Sequence, residues 1–304
     1  MIVPHSPQLR RLLEYVGMPL LLLFLWDGVI VLLYKVAHWD WLGLPHIPLA
    51  LFGSSIGLIV AFRNNSSYGR WWEARTLWGG IVNNSRSWAR QVLTSIAAQK
   101  PDAKEDVRKL QCRMIYLQIA WVHALRQQLR GQPPLDELHG ILSEDDLVLL
   151  KDQKNVAFTL QLWQSDLARE ALEKDWVDSL QWSALDRTLS ELINLQGGSE
   201  RIKNTPMPKQ YDFYPQLFVR IYCLLLPLAL VQNMGWLTPL GSTLVGFIFI
   251  ALDKIGRDLE NPFDNSIYDI PLTSMSRTIE INLRQAMGER SLPAPAEPVR
   301  GVLW

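Results

Sequence analysis

The sequence predicts an all-α integral membrane protein: four transmembrane helices, with a large cytoplasmic helical bundle inserted between the second and the third. Three observations carry this. The 32 residues from Ile221 to Leu252 contain no Asp, Glu, Lys or Arg, and neither do the 22 from Trp41 to Phe62. A bilayer-spanning helix needs about 20 mostly apolar residues, and soluble domains rarely supply such runs. The chain as a whole is balanced, with 30 basic and 30 acidic side chains, 48% hydrophobic and 20% charged residues. Its apolarity is therefore segregated rather than uniformly high. Between the apolar runs, hydrophobic residues recur at three- and four-residue spacing, and period-two alternation is absent. The charge balance argues against a nucleic-acid binder, and the hydrophobic content argues against disorder.

The first span is placed at Val16 to Tyr34, interrupted only by Asp27. The second runs from about Pro48 to Phe62, which is short and suits a sheltered, protein-lined position. The run Ile221 to Leu252 is too long for one ordinary span. Asn233, Gly235, Thr238 and Pro239 offer a turn near its middle, giving helices at about 218–232 and 239–252. Lys and Arg orient the spans. Arg10, Arg11, Arg63, Arg70, Arg75, Arg201, Lys203, Lys209, Arg220, Lys254 and Arg257 cluster on one side, whereas the connections 35–47 and 233–238 hold only Lys35. Both termini and the middle region are therefore expected in the cytoplasm, with Trp39, Trp41 and Trp236 as outer anchors. The expected organisation is 1–62 for the N-terminal cytoplasmic segment and the first two spans, 63–217 for the cytoplasmic helical region, 218–252 for the last two spans, and 253–304 for a cytoplasmic segment ending in a mobile Pro-rich tail. Breaks within the middle region are expected at Pro101, Gly131 to Pro134, Gly140, and Gly197–Gly198. Leu110, Met114, Leu117, Trp121, Ala124 and Leu125 mark the buried face of one of its helices.

Enzyme signatures are missing: there is no Gly-rich phosphate loop with a following Lys, no HExxH and no GxSxG serine. The histidines are scattered without ligand spacing, and Cys112 and Cys223 lie 111 positions apart. No cofactor and no metal site is expected. Asp27 reads either as an ion or proton site or, favoured two to one, as a hydrogen-bonded interhelical contact or a neutral acid beside Trp26 and Gly28. An intramembrane carboxylate must in either case face protein or water. In the second span, Gly53, Gly57 and Ala61 form a small-residue face suited to close helix approach. Ser54, Leu58 and Phe62 share that four-residue spacing on an adjacent face. A ring of apolar side chains there would gate ions by dewetting, although periodicity alone favours ordinary core or lipid contact for Leu58 and Phe62.

The apolar second span leads into Phe62-Arg63-Asn64-Asn65, then Arg70-Trp71-Trp72-Glu73-Ala74-Arg75, and Asn261-Pro262-Phe263-Asp264 follows the last span. In this order and spacing the chain resembles the bestrophin family of ion channels, in its bacterial branch, over about residues 10–290. The resemblance implies a homopentamer around one central pore. The second helix of each subunit would line a hydrophobic neck at Ser54, Leu58 and Phe62, and a lower cytoplasmic constriction falls most nearly on Leu180. It implies passage of small monovalent ions: chloride and other anions in the family at large, sodium or potassium in the bacterial branch. Two departures stand out. The outermost neck position is Ser54 where the family commonly has a bulky apolar residue. The stretch after Asn261-Pro262-Phe263-Asp264 lacks the dense acidic run that binds calcium in animal members, so calcium gating is not expected, and the motif reads as a cap and turn. The expected function is thus a passive channel of the inner membrane, with the lipid bilayer and permeant ions as partners. The competing readings are an ion-coupled secondary transporter using Asp27 and a non-conducting membrane scaffold. Four spans without inverted symmetry count against the transporter.

Overall fold

A computed structural model describes Met1 and residues 9–44 and 48–304, with side chains from Glu14 onward. Arg10, Arg11, His5 and His46, which enter the sequence reading, lie outside the described side chains. Among the described residues there are nine α-helices and no strands: α1 (Leu9–Lys35), α2 (Leu49–Ser95), α3 (Lys104–Leu129), α4 (Glu144–Leu150), α5 (Val156–Glu173), α6 (Ser179–Asn204), α7 (Lys209–Met234), α8 (Thr238–Glu260) and α9 (Leu272–Ala286). They fall into two compact units. One comprises Pro4–Trp71 and Pro206–Asn261, and the other Met1–Val3, Trp72–Thr205 and Pro262–Trp304.

In the first unit α1, α7 and α8 pack on one another. Two stretches, Glu14–Lys35 and Lys209–Glu260, are long and apolar enough to cross a membrane. The second breaks where the sequence suggests. Gly235 takes φ +55, a backbone conformation that a side chain disfavours. Thr238 and Pro239 then open α8, where the missing proline N–H costs nothing. Leu23, Val60, Val219 and Cys223 form the core, joined by Ile56, Phe249 and Ile250. Gly246 makes this possible: a Cβ there would collide with the Leu23 side chain. Asp27 is fully buried and accepts a hydrogen bond from Thr243 Oγ1 of α8 at 3.3 Å. One carboxylate oxygen thus makes an interhelical contact, and the other, Oδ1, is buried without a partner among the described residues.

The second unit is organised by α3, which packs on α5, α6 and α9. Leu110, Met114, Leu117, Trp121, Ala124 and Leu125 are all buried, and the burial extends round most of the helix. Some of the polar groups drawn inside find partners, whereas the Gln161 and Gln164 amides are buried without one among the described residues. Gln118 donates to Ser85 at 2.9 Å, and Trp121 Nε1 donates to Gln196 at 2.9 Å. The end of the tail is tied down: Ser274 N–H donates to the Trp304 carbonyl at 2.7 Å, and Val299 and Val302 exchange backbone hydrogen bonds.

Breaks occur at Pro101, at Gly131 to Pro134 and at Gly140, but not at Gly197–Gly198, where α6 continues without interruption. These glycines serve packing instead. A Cβ on Gly198 would lie 2.9 Å from Leu77 Cδ2, and a Cβ on Gly80 would lie 2.8 Å from Leu195 Cδ2. Each helix thus seats a leucine over the other's glycine. Gly197 has nothing within reach. Gly198→Ala is expected to lower stability by about 1–2 kcal/mol through overpacking, whereas Gly197→Ala should be neutral or raise it by up to ~1 kcal/mol through helix propensity. Heat-induced loss of the folded, detergent-solubilised protein, followed by size-exclusion fluorescence, measures both.

A second local device starts α4. Ser143 and Asp146 form a reciprocal capping box, and Arg113 clasps the Asp146 carboxylate with two bonds of 2.6 Å. The Arg113 hydrogen bonds hold this carboxyl below its ordinary value. Asp146→Ala is expected to cost about 1–2 kcal/mol. Because the folded-state value is depressed, the contribution is fully present above the unfolded carboxylate pKa, about 4, and is lost as pH falls from there through the lower folded-state value. Melting curves of both proteins should therefore begin to converge below about pH 4 and meet once the folded-state carboxyl is protonated.

Candidate pore-lining surface

Helix α2 carries the surface of interest. Its 47 residues run unbroken through Phe62 and Arg63, so the end of the apolar run is not the end of the helix. One side of its first half is buried: Gly53, Val60, Arg63 and Ser67. At Gly53 the neighbour comes close enough that a Cβ would lie 2.7 Å from the Tyr222 hydroxyl of α7. The small-residue pattern extends further along the helix than the contacts it makes within the single chain. Gly57 has no atom within 4 Å of an added Cβ, and Ala61 is exposed.

Another side presents Ser54, Leu58 and Phe62, one turn apart in a row. Leu58 is 58% exposed and Phe62 62% exposed within the single chain. Ser54 is exposed too, and its hydroxyl donates to the Leu51 carbonyl at 3.0 Å. That leaves its oxygen lone pairs facing outward, so the row is polar at one end and apolar for the next two turns. Beyond Phe62 the side chains become polar again, beginning with Ser66, which donates to the Phe62 carbonyl at 3.1 Å. One helix brings these three residues together. Leu180 belongs to the other unit, in the first turn of α6, where it is 82% exposed. The N-terminus that carries it is fixed by a capping box: Gln181 N–H donates to Asp178 at 2.7 Å, and Asp178 N–H donates back to Gln181 at 3.0 Å.

The face of α2 behind Phe62 is held by charges that the sequence reading used only as boundary markers. Arg63 is 2% exposed, and its Nη1 donates to Asp253 Oδ1 of α8 at 2.7 Å. Its Nη2 reaches the Asp253 carbonyl, and Asp212 of α7 lies 3.6 Å from Nη1. Arg257 takes the other Asp253 oxygen at 2.9 Å. Asn64 donates to the Leu252 carbonyl at 2.8 Å. Gly256 leaves the room for this: a Cβ there would collide with the Asn64 amide and come within 2.8 Å of Arg63 Nη2. The sequence signal was the isolation of Arg63 and Asp253, each the first charge after a long apolar run.

The segment after α8 turns the chain. Arg70 Nε donates to the Glu260 carbonyl at the helix end at 3.0 Å, and Asn261 caps it. Phe263 is buried, and the Pro262 carbonyl accepts from Ile270 N–H at 3.3 Å. Asp264 pairs with Lys203 at 2.8 Å, and Asp269 accepts from Ser266 N–H at 3.1 Å and from the Ser266 hydroxyl. The acidic side chains of this turn are thus engaged by the protein. Among the described residues no group of three or more His, Cys, Asp or Glu is arranged to hold a metal.

The family description "Bacterial/Fungal Bestrophin protein" matches residues 11–285. A voltage-dependent anion channel-forming protein of Ralstonia nicotianae is 36% identical over 299 residues, covering 95% of each chain. Another protein of that name from Escherichia coli K12 is 32% identical over 306 residues, covering 98% of this chain and 97% of its own. The crystal structure of a bacterial bestrophin homolog from Klebsiella pneumoniae superposes with a TM-score of 0.84 at 28% identity, over 91% of this chain and all of that one. Sequence and fold agree, and the chain belongs to the bacterial and fungal bestrophin family.

Proposed function

We propose that the chain forms a homopentameric ion channel in the inner membrane, with α2 of each subunit lining a single axial pore. Ser54, Leu58 and Phe62 form the neck, and Leu180 narrows the cytoplasmic exit. In this reading the spans are α1, the first half of α2, α7 and α8. The region 63–217, the segment 253–304 and both termini are cytoplasmic. The observation that carries it is the row on α2, where two large apolar side chains stand exposed one turn apart while the opposite side of the helix is buried. A monomer gains nothing from such an arrangement. Five copies around an axis would turn it into a narrow apolar ring two turns deep, in which water is held poorly and ion passage is set by dewetting.

Rings of leucine and phenylalanine carry no formal charge, so the neck gates rather than selects. The relatives' names favour anions, of which chloride is our first assignment, and sodium or potassium is the competing one. Purified protein in a planar bilayer with asymmetric NaCl tests the whole reading. Conduction with a reversal potential toward the chloride equilibrium value identifies an anion channel, and the opposite sign a cation channel. Silence in the bilayer, or a solubilised mass of one or two subunits, overturns the channel.

A further inference from the structure

A groove of about 450 Å³ runs between α1, α7 and α8 within the first unit. Its walls are apolar along Pro19, Leu22 and Leu23 of α1, Leu224 of α7 and Ile250 of α8. Leu22 and Leu224 are more than half exposed, so the groove is open along its side. Trp26 closes one end by crossing from α1 to α7, where its indole N–H donates to the Leu224 carbonyl at 3.2 Å. The other end is charged. With the Gln216 amide oxygen turned toward them, Arg257 Nη1 and Arg220 Nη2 donate to it at 2.6 and 2.9 Å. One neutral amide therefore holds two guanidiniums side by side. The nearby carboxylates do not balance them: Asp253 is shared between Arg257 and the buried Arg63, and Asp212 lies against Arg63. Three guanidiniums face two carboxylates, and among the described residues Arg220 has no carboxylate partner.

We propose that this groove binds one acyl chain of an anionic phospholipid, with the headgroup phosphate held between Arg220 and Arg257. The charge excess sits at the end of an apolar channel about 10 Å long, the rise of the seven residues from Pro19 to Trp26. Basic pockets between membrane helices recognise anionic headgroups in this way, and planar guanidiniums suit a phosphate better than point charges do. The channel takes the headgroup-proximal part of a single chain, and the exposed side lets the rest of it and the second chain remain among the surrounding lipid. The proposal rests on the membrane reading of α1, α7 and α8 but not on conduction.

The test equilibrates the full chain in detergent with equal phosphatidylglycerol and phosphatidylcholine and counts bound lipid by native mass spectrometry. Phosphatidylglycerol should be retained at least fivefold over phosphatidylcholine. Arg220→Gln should lower its retention at least fivefold, and Leu224→Trp, which fills the open groove, should reduce retention of both lipids. Excess inorganic phosphate should leave phosphatidylglycerol bound, because the acyl chain contributes to holding it. Equal retention of the two lipids, unchanged phosphatidylglycerol binding in Arg220→Gln, or full displacement by inorganic phosphate would overturn the assignment. The same spectra report subunit number, so failure of the lipid site is distinguished from failure of the pentamer.

Discussion

Truncating Leu58 and Phe62 together to alanine is expected to raise single-channel conductance at least fivefold in reconstituted bilayers. Both side chains stand exposed on consecutive turns of α2, and neither supports the fold of the single chain. Alanine at both positions would widen two adjacent rings and let water persist through them. A fivefold change corresponds to about 1 kcal/mol off the barrier to ion passage, a modest demand on two rings of five large side chains. Each single variant should give a smaller rise, because one intact apolar ring still excludes water. Ser54→Leu should act in the opposite direction by extending the apolar stretch a further turn. Unchanged currents in Leu58→Ala, Phe62→Ala and the double variant would remove these residues from the gate. The solubilised mass should stay the same throughout, which separates gating from assembly.

What was legible in the sequence follows from how local the cause is. The turn between α7 and α8 was legible because Gly235, Thr238 and Pro239 act on their own backbone. The buried face of α3 was legible because its six marker residues repeat at helical spacing. Gly197–Gly198 misled because the same residue type serves two purposes. Read locally it breaks a helix, but here Gly198 seats Leu77 from another helix, a contact no local pattern contains. On the small-residue face of α2 only Gly53 meets a neighbour within the single chain, and that neighbour is Tyr222, about 170 positions away, a contact that local spacing does not contain. The row Ser54, Leu58 and Phe62 was legible as a helical spacing, but what it faces depends on the proposed assembly, which periodicity does not encode. The lock behind that row was hidden most completely. Arg63 and Asp253 are 190 positions apart, and each alone looks like a charge marking the end of a membrane span.

That lock supplies the largest expected loss of stability. Asp253→Ala should destabilise the fold by about 3–5 kcal/mol, the usual cost of removing one partner from a buried ion pair. The carboxylate is 4% exposed and divides its two oxygens between Arg63 and Arg257. Without it the Arg63 guanidinium stays buried, with Asp212 at 3.6 Å as its remaining anion. Two further variants separate the charge from the packing. Arg63→Leu combined with Asp253→Leu removes both charges and should recover much of the loss, because a buried pair contributes little over apolar residues of similar volume. Gly256→Leu keeps the pair but intrudes on the Arg63 and Asn64 side chains, and should destabilise nearly as much as Asp253→Ala. Thermal unfolding of the solubilised protein measures all three. If Asp253→Ala melts with wild type, the pair does not hold α2 against α8. If the double leucine variant melts no higher than Asp253→Ala, the cost lies in lost packing rather than in an uncompensated charge.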